Sequence, residues 1–161
     1  LGSSRLGQVR VKTDRQSQTQ MASARLLITV ESAYNLYNSD GVLAGKSDPY
    51  VIVEVPGQEG MRLQTDVISN NLNPVWNFTG EMGGFMDGDV LRFTVMDKDT
   101  FPKPDDFLGK AELAAQDFYP HGFHGDLTLA DSKTQATVTV KVVVTGCDTG
   151  EGIQTTTVLA S

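Results

Sequence analysis

The chain has a single cysteine, Cys147, so no disulfide can form within it; stability has to come from packing, and a reducing compartment is the simpler expectation. Its two histidines, His121 and His124, stand in a Gly- and Pro-containing stretch with no serine or cysteine nucleophile motif beside them, and they read as surface loop residues. Apolar residues never run for the roughly 18 positions needed to span a bilayer. The longest strand-like run, 138–144, is interrupted by Thr139 and Lys141, so a membrane would be met only at its surface. Phosphate-binding glycine loops and EF-hand calcium spacing are absent. Asp97-Lys98-Asp99-Thr100 shares the start of an Asp-x-Asp-x-Thr phosphatase motif, but Phe101 follows and no alternating parallel-sheet pattern surrounds it. Catalysis by this chain is not expected. Helical periodicity is missing as well, apart from one short turn near 114–119.

What remains suits one globular domain: 161 residues, 39% hydrophobic and 20% charged. The sequence opens on Leu1 with no basic-then-apolar leader and reads as a piece or a processed form of a longer chain. Net charge is −7, yet residues 1–24 carry Arg5, Arg10, Lys12 and Arg15 against Asp14 alone, so the rest is more acidic than the whole. Such a body repels nucleic acid and anionic lipid unless a cation neutralises it. No nucleic-acid or small-molecule partner is expected.

Residues 1–24 form a polar arm without periodicity, with Val9 and Val11 at most a short strand. From Arg25 the pattern turns to period two, with Leu26, Ile28 and Val30 alternating with Leu27, Thr29 and Glu31. Seven similar segments follow, at 50–55, 62–68, 75–81, 90–96, 109–113, 126–129 and 137–144, separated by turn formers such as Asp40-Gly41, Asn70-Asn71 and Asp87-Gly88. Eight short strands indicate an all-β, eight-stranded antiparallel sandwich over 25–145, with Leu91, Phe93 and Val95 inward and Arg92 and Thr94 outward. Residues 146–161 are Gly- and Thr-rich and are expected to fray. Both tails are candidate surfaces for protein partners.

The chemistry lies in carboxylates placed where strands end. Asp97 and Asp99 continue the series Leu91, Phe93, Val95, and their i, i+2 spacing turns both to one side. Like charges ~4 Å apart repel by ~4 kcal/mol at an effective dielectric of 20, which a bound cation or a proton relieves. Asp105 and Asp106 follow shortly, and Asp40 and Asp48 stand in an earlier loop. If these loops meet, the oxygens suit calcium, which takes about six to eight hard ligands in flexible geometry; transition metals would want the scarce His or Cys. A single Asp in a turn more often bonds its own backbone, and only the group carries the metal reading.

Gly45-Lys46-Ser47-Asp48-Pro49-Tyr50-Val51, then Asn73-Pro74-Val75-Trp76-Asn77, then Asp97-Lys98-Asp99 running to Asp106-Phe107-Leu108-Gly109 resembles a C2 domain of the protein kinase C and synaptotagmin kind. The resemblance covers about 25–144. It implies the phospholipase-like, type II connectivity with the eighth strand C-terminal, and two or more calcium ions held by Asp40, Asp48, Asp97, Asp99 and Asp106. The first loop is about two residues longer than the commonest form and the third carries one extra residue, so Asp105 is a rival to Asp106 for the last position. It further implies docking on an anionic phospholipid surface, as a cytoplasmic, peripheral module that recruits a larger protein. Val42, Leu43 and Phe101, exposed beside the metal loops, would insert shallowly into lipid. Where many relatives have a lysine cluster this chain offers Arg62, Gln64 and Asp66, so phosphoinositide selection is not expected. Trp76 and Asn77 are assigned to packing and turn geometry. A calcium-independent protein-interaction module is the alternative.

Overall fold

The computed structural model describes residues 23–148. Eight strands, β1 Ser23–Tyr34, β2 Pro49–Glu54, β3 Arg62–Gln64, β4 Val75–Phe85, β5 Val90–Asp97, β6 Asp106–Ala114, β7 Phe123–Thr128 and β8 Thr137–Asp148, are joined with one helical turn, α1 Ala115–Phe118, between β6 and β7. They form two antiparallel sheets of four, ordered β4-β1-β8-β7 and β3-β2-β5-β6. The C-terminal strand β8 lies between β1 and β7, the arrangement of the type II connectivity.

Alternation decides which residues meet between the sheets. Leu26, Ile28 and Val30 from β1 and Val138 and Val140 from β8 face Val51, Val53, Leu91, Phe93 and Val95 from β2 and β5, and all ten are fully buried. Burying each such side chain is worth ~1.5–3 kcal/mol. At one end, α1 closes the gap by seating Phe118 against Phe85, ring centroids 5.2 Å apart.

Several strand boundaries differ from the expectation; β4 runs on to Phe85 and β7 starts at Phe123, and the others have physical reasons. The 62–68 strand stops at Gln64 because Thr65 puts its side chain into the ladder: Val51 N–H donates to Thr65 Oγ1 at 3.0 Å. β6 starts at Asp106 rather than Gly109, since a bulge leaves Leu108 and Gly109 both buried and returns Phe107 and Asp106 to register with Met96 and Asp97. Only glycine fits at 109: φ is +148° and a Cβ would stand 3.0 Å from Leu129 Cβ. β1 and β8 pair beyond 25 and 145, Ser23 opposite Asp148, each strand covering the other's end. The Val9–Val11 segment and the remainder of both tails lie outside the described residues. His124 is corrected from loop to strand: it sits on β7 with Nε2 2.9 Å from Glu31 Oε1.

Candidate metal centre

In the second sheet β2, β5 and β6 are neighbours, and the antiparallel ladder brings the start of β2, the end of β5 and the start of β6 to one edge. Pro49 pairs with Asp97, and Asp97 pairs with Asp106. Three of the sequence's carboxylates, Asp48, Asp97 and Asp106, therefore stand side by side on adjacent strand ends. The loop joining β1 to β2 folds over them through Ser39, whose hydroxyl donates to Asp97 Oδ2. Asp40 in the same loop lies close enough to Asp97, Asp99 and Asp48 to feel their charges.

Asp97 is fully buried, and its Oδ1 accepts the Asp48 N–H at 2.6 Å. Asp48 Oδ1 accepts the Asn70 N–H at 2.6 Å, and Asn70 Oδ1 accepts the Lys46 N–H at 2.7 Å, so the loop joining β3 to β4 completes the wall. Asp99 is the member left unsatisfied. Its side chain is 8% exposed and Oδ1 accepts from the Lys103 ammonium at 2.8 Å, but Oδ2 is buried with no hydrogen-bond partner, as is Asn38 Oδ1. A buried acceptor left bare costs about 1–3 kcal/mol. Asp40's carboxyl is held above the ordinary carboxylate range, chiefly by desolvation and then by the Asp97 and Asp99 charges, with Lys103 opposing.

The rivals at the end of the third loop have different surroundings. Asp105 points to the scaffold: Tyr50 donates its hydroxyl to Oδ2 at 2.6 Å, Asp99 N–H donates to Oδ1 at 3.0 Å, and Lys98 lies 3.3 Å away. These hydrogen bonds, the Tyr50 one foremost, hold Asp105 below its usual range. Desolvation and the same carboxylate push the Tyr50 hydroxyl up to about 12. Asp106 is half-exposed, and Lys103 reaches its Oδ2 at 3.0 Å. As they stand, the carboxylates do not close on one point: among the described residues no three His, Cys, Asp or Glu side chains form a group that could hold a metal ion. The donors are nonetheless hard oxygens with a bare one among them, the chemistry of a calcium cup rather than a zinc site.

Val42 is 95%, Leu43 104% and Phe101 92% exposed, on the first and third loops of the same end. Trp76 is half-buried, with Nε1 3.3 Å from the Pro49 carbonyl, and Asn77 takes a positive φ of 47°, so both serve the scaffold. Sequence reasoning passed over Ser39, Asn70 and Lys103. Lys103 left a faint signal, four residues after Asp99 and three before Asp106; the other two left none.

An antiparallel sandwich with acidic loops gathered at one end defines a class of binding module. The C2 domain family model matches residues 24–130, and the chain belongs to that family. It is 40% identical over 90 residues to Arabidopsis thaliana synaptotagmin-5, covering 55% of this chain and 15% of that protein. It is 38% identical over 90 residues to a calcium-dependent lipid-binding protein of the same plant, covering 55% and 16%. Among solved structures it resembles the calcium-bound tandem C2 domains of extended synaptotagmin 2, with TM-score 0.65, 27% identity, and 78% of this chain and 46% of that one covered. The chain spans less than a fifth of the two curated relatives' lengths. No helix among the described residues is long and apolar enough to cross a membrane.

Proposed function

We propose that this C2 domain binds calcium through Asp40, Asp48, Asp97, Asp99 and Asp106 and, so loaded, docks on anionic phospholipid, acting as a non-catalytic, cytoplasmic module that recruits a larger protein to membranes. The observation that carries the reading is the bare, buried Asp99 Oδ2 within a wall of strand-end carboxylates, at the same end as three uncovered apolar side chains. The names of the calcium-bound neighbour and of the calcium-dependent lipid-binding relative support it. In this reading Asp106 is preferred to Asp105 as the last ligand, because Tyr50, Lys98 and the Asp99 N–H hold Asp105's oxygens while Asp106 stands opposite Asp97 on the neighbouring strand end.

Without calcium the acidic rim faces anionic headgroups with its own sign of charge and is repelled. Bound calcium supplies positive charge there. Val42, Leu43 and Phe101 then enter the headgroup region, each gaining up to ~1.5–3 kcal/mol by burial. Sedimentation with phosphatidylserine vesicles tests the whole reading: the protein is expected in the pellet with millimolar calcium and in the supernatant with chelator. Equal fractions in both would favour the calcium-independent interaction module instead.

A further inference from the structure

The loop joining β5 to β6 carries two lysines that do different things. Lys98 turns outward to Asp105, with Nζ 3.3 Å from both oxygens. Lys103 turns into the cup and divides its ammonium between two of the assigned ligands, Asp99 Oδ1 at 2.8 Å and Asp106 Oδ2 at 3.0 Å. The backbone sets up this reach, because the Lys103 N–H closes a turn on the Thr100 carbonyl at 3.1 Å and folds the loop back over its own start. The two carboxylates differ in burial, 8% against 39% exposed, so the ammonium bridges the inside of the cup to its rim while remaining half in solvent itself. It neutralises Asp99 without satisfying it: Oδ2 stays bare.

We propose that Lys103 is a tethered counter-ion that latches the calcium-free cup, so that calcium binding is an exchange of one cation for another. This rests on the calcium reading above. Asp97 is held by hydrogen bonds on both oxygens, but Asp99 has one oxygen bare and relies on a counter-charge, which the latch supplies when metal does not. The exchange taxes affinity, because the metal sees only the fraction of molecules in which the ammonium has left, and its apparent dissociation constant rises by that factor. The latch thus raises the calcium concentration at which the domain loads and protects the empty cup from its own repulsion. Lys103's half-exposed position gives the displaced ammonium a path to solvent.

Calorimetric calcium titration of the wild type, Lys103→Gln and Lys98→Gln, with melting curves in chelator and in saturating calcium, tests this. Lys103→Gln is expected to bind calcium about five- to tenfold more tightly, to melt below wild type in chelator, and to match it in calcium. Lys98→Gln, which removes the same charge from the same loop, is expected to change affinity by less than about twofold, as a half-exposed charge outside the cup should. Equal tightening by both variants would make the effect one of net charge and overturn the latch. So would an unchanged affinity in Lys103→Gln beside a calcium-binding wild type. If none of the three proteins binds calcium, the calcium reading itself has failed, and the exchange with it.

Discussion

The two ends of the sandwich are built from the same materials, and their aspartates are treated in opposite ways. At the end away from the cup, half-buried Asp89 takes the Gln58 amide on Oδ1 and its own turn's Met86 N–H on Oδ2, both at 2.8 Å. Each of its oxygens has a partner, and the residue does what an aspartate in a turn ordinarily does. In the cup, Asp99 is buried, shares one oxygen with a lysine and leaves the other bare. Both ends carry aspartates in turns. The destination of the acceptors separates an aspartate that makes a loop from one that keeps an acceptor free, as the proposed calcium reading requires.

The strongest way to break that comparison is to remove one charge from each end. Asp99→Asn is expected to weaken calcium binding by about 100-fold, since affinity at such sites follows the count of charged ligands, while calcium-free melting stays near wild type because a buried charge goes with the ion pair. Asp89→Asn should do the reverse. It presents an amide N–H to one of two donors and costs about 1 kcal/mol, with calcium affinity unchanged. Titration calorimetry and thermal melting of both variants read the two effects. If both lose stability alone, the cup is only another turn.

How far the sequence allowed this contrast to be read depends on the range of the interactions. Alternation is local, so the inward series Leu91, Phe93, Val95 was legible and is fully buried. The meeting of Asp48, Asp97 and Asp106 was legible because their motifs are short strings at the ends of adjacent strands, whereas Asp40 and Asp99 lie in the loops. The bulge that draws Asp106 opposite Asp97 was not, since it depends on Gly109 meeting Leu129 from another part of the chain. Ser39 and Asn70 were invisible for the same reason, one bonding a partner 58 residues away and the other 22. Lys103 was missed because its spacing from Asp99 and Asp106 matters only once the loop has folded back. Order along the chain favours Asp106 over Asp105, since Asp106 directly precedes Phe107, but the contact that engages Asp105 was not legible because Tyr50 lies 55 residues off.

A smaller effect separates the scaffold aspartate of the third loop from the cup. Tyr50→Phe removes the hydroxyl that Asp105 accepts and should cost about 1.5–3 kcal/mol at neutral pH, with or without calcium. The pH dependence carries a definite sign. Asp105 is held below its usual range in the folded protein, so its contribution is complete above the unfolded value near 4 and is lost as pH falls through the lower folded value. Wild type and Tyr50→Phe should therefore differ most near neutrality and converge in acid. Denaturant melts from about pH 7 to 3 follow this; a gap that widens in acid would mean that Asp105 is not the hydroxyl's partner in solution.

The smallest effect is expected at Phe101, which touches neither ligands nor core. It is 92% exposed, so Phe101→Ala should leave both melting temperature and calcium affinity in lipid-free buffer unchanged. On phosphatidylserine vesicles at saturating calcium the same change removes one inserting side chain of three. Losing about half of a full burial term, ~1.4 kcal/mol, weakens vesicle binding about tenfold. The residue thus sharpens the contrast between the two ends, because Met86, 48% exposed at the far end, should give no such loss when replaced by Ala. Vesicle titrations of the two variants side by side decide it. Equal binding by wild type and Phe101→Ala would leave calcium attraction to headgroup phosphates as the sole anchor and remove insertion; equal weakening by Met86→Ala would place lipid contact on the wrong end of the sandwich.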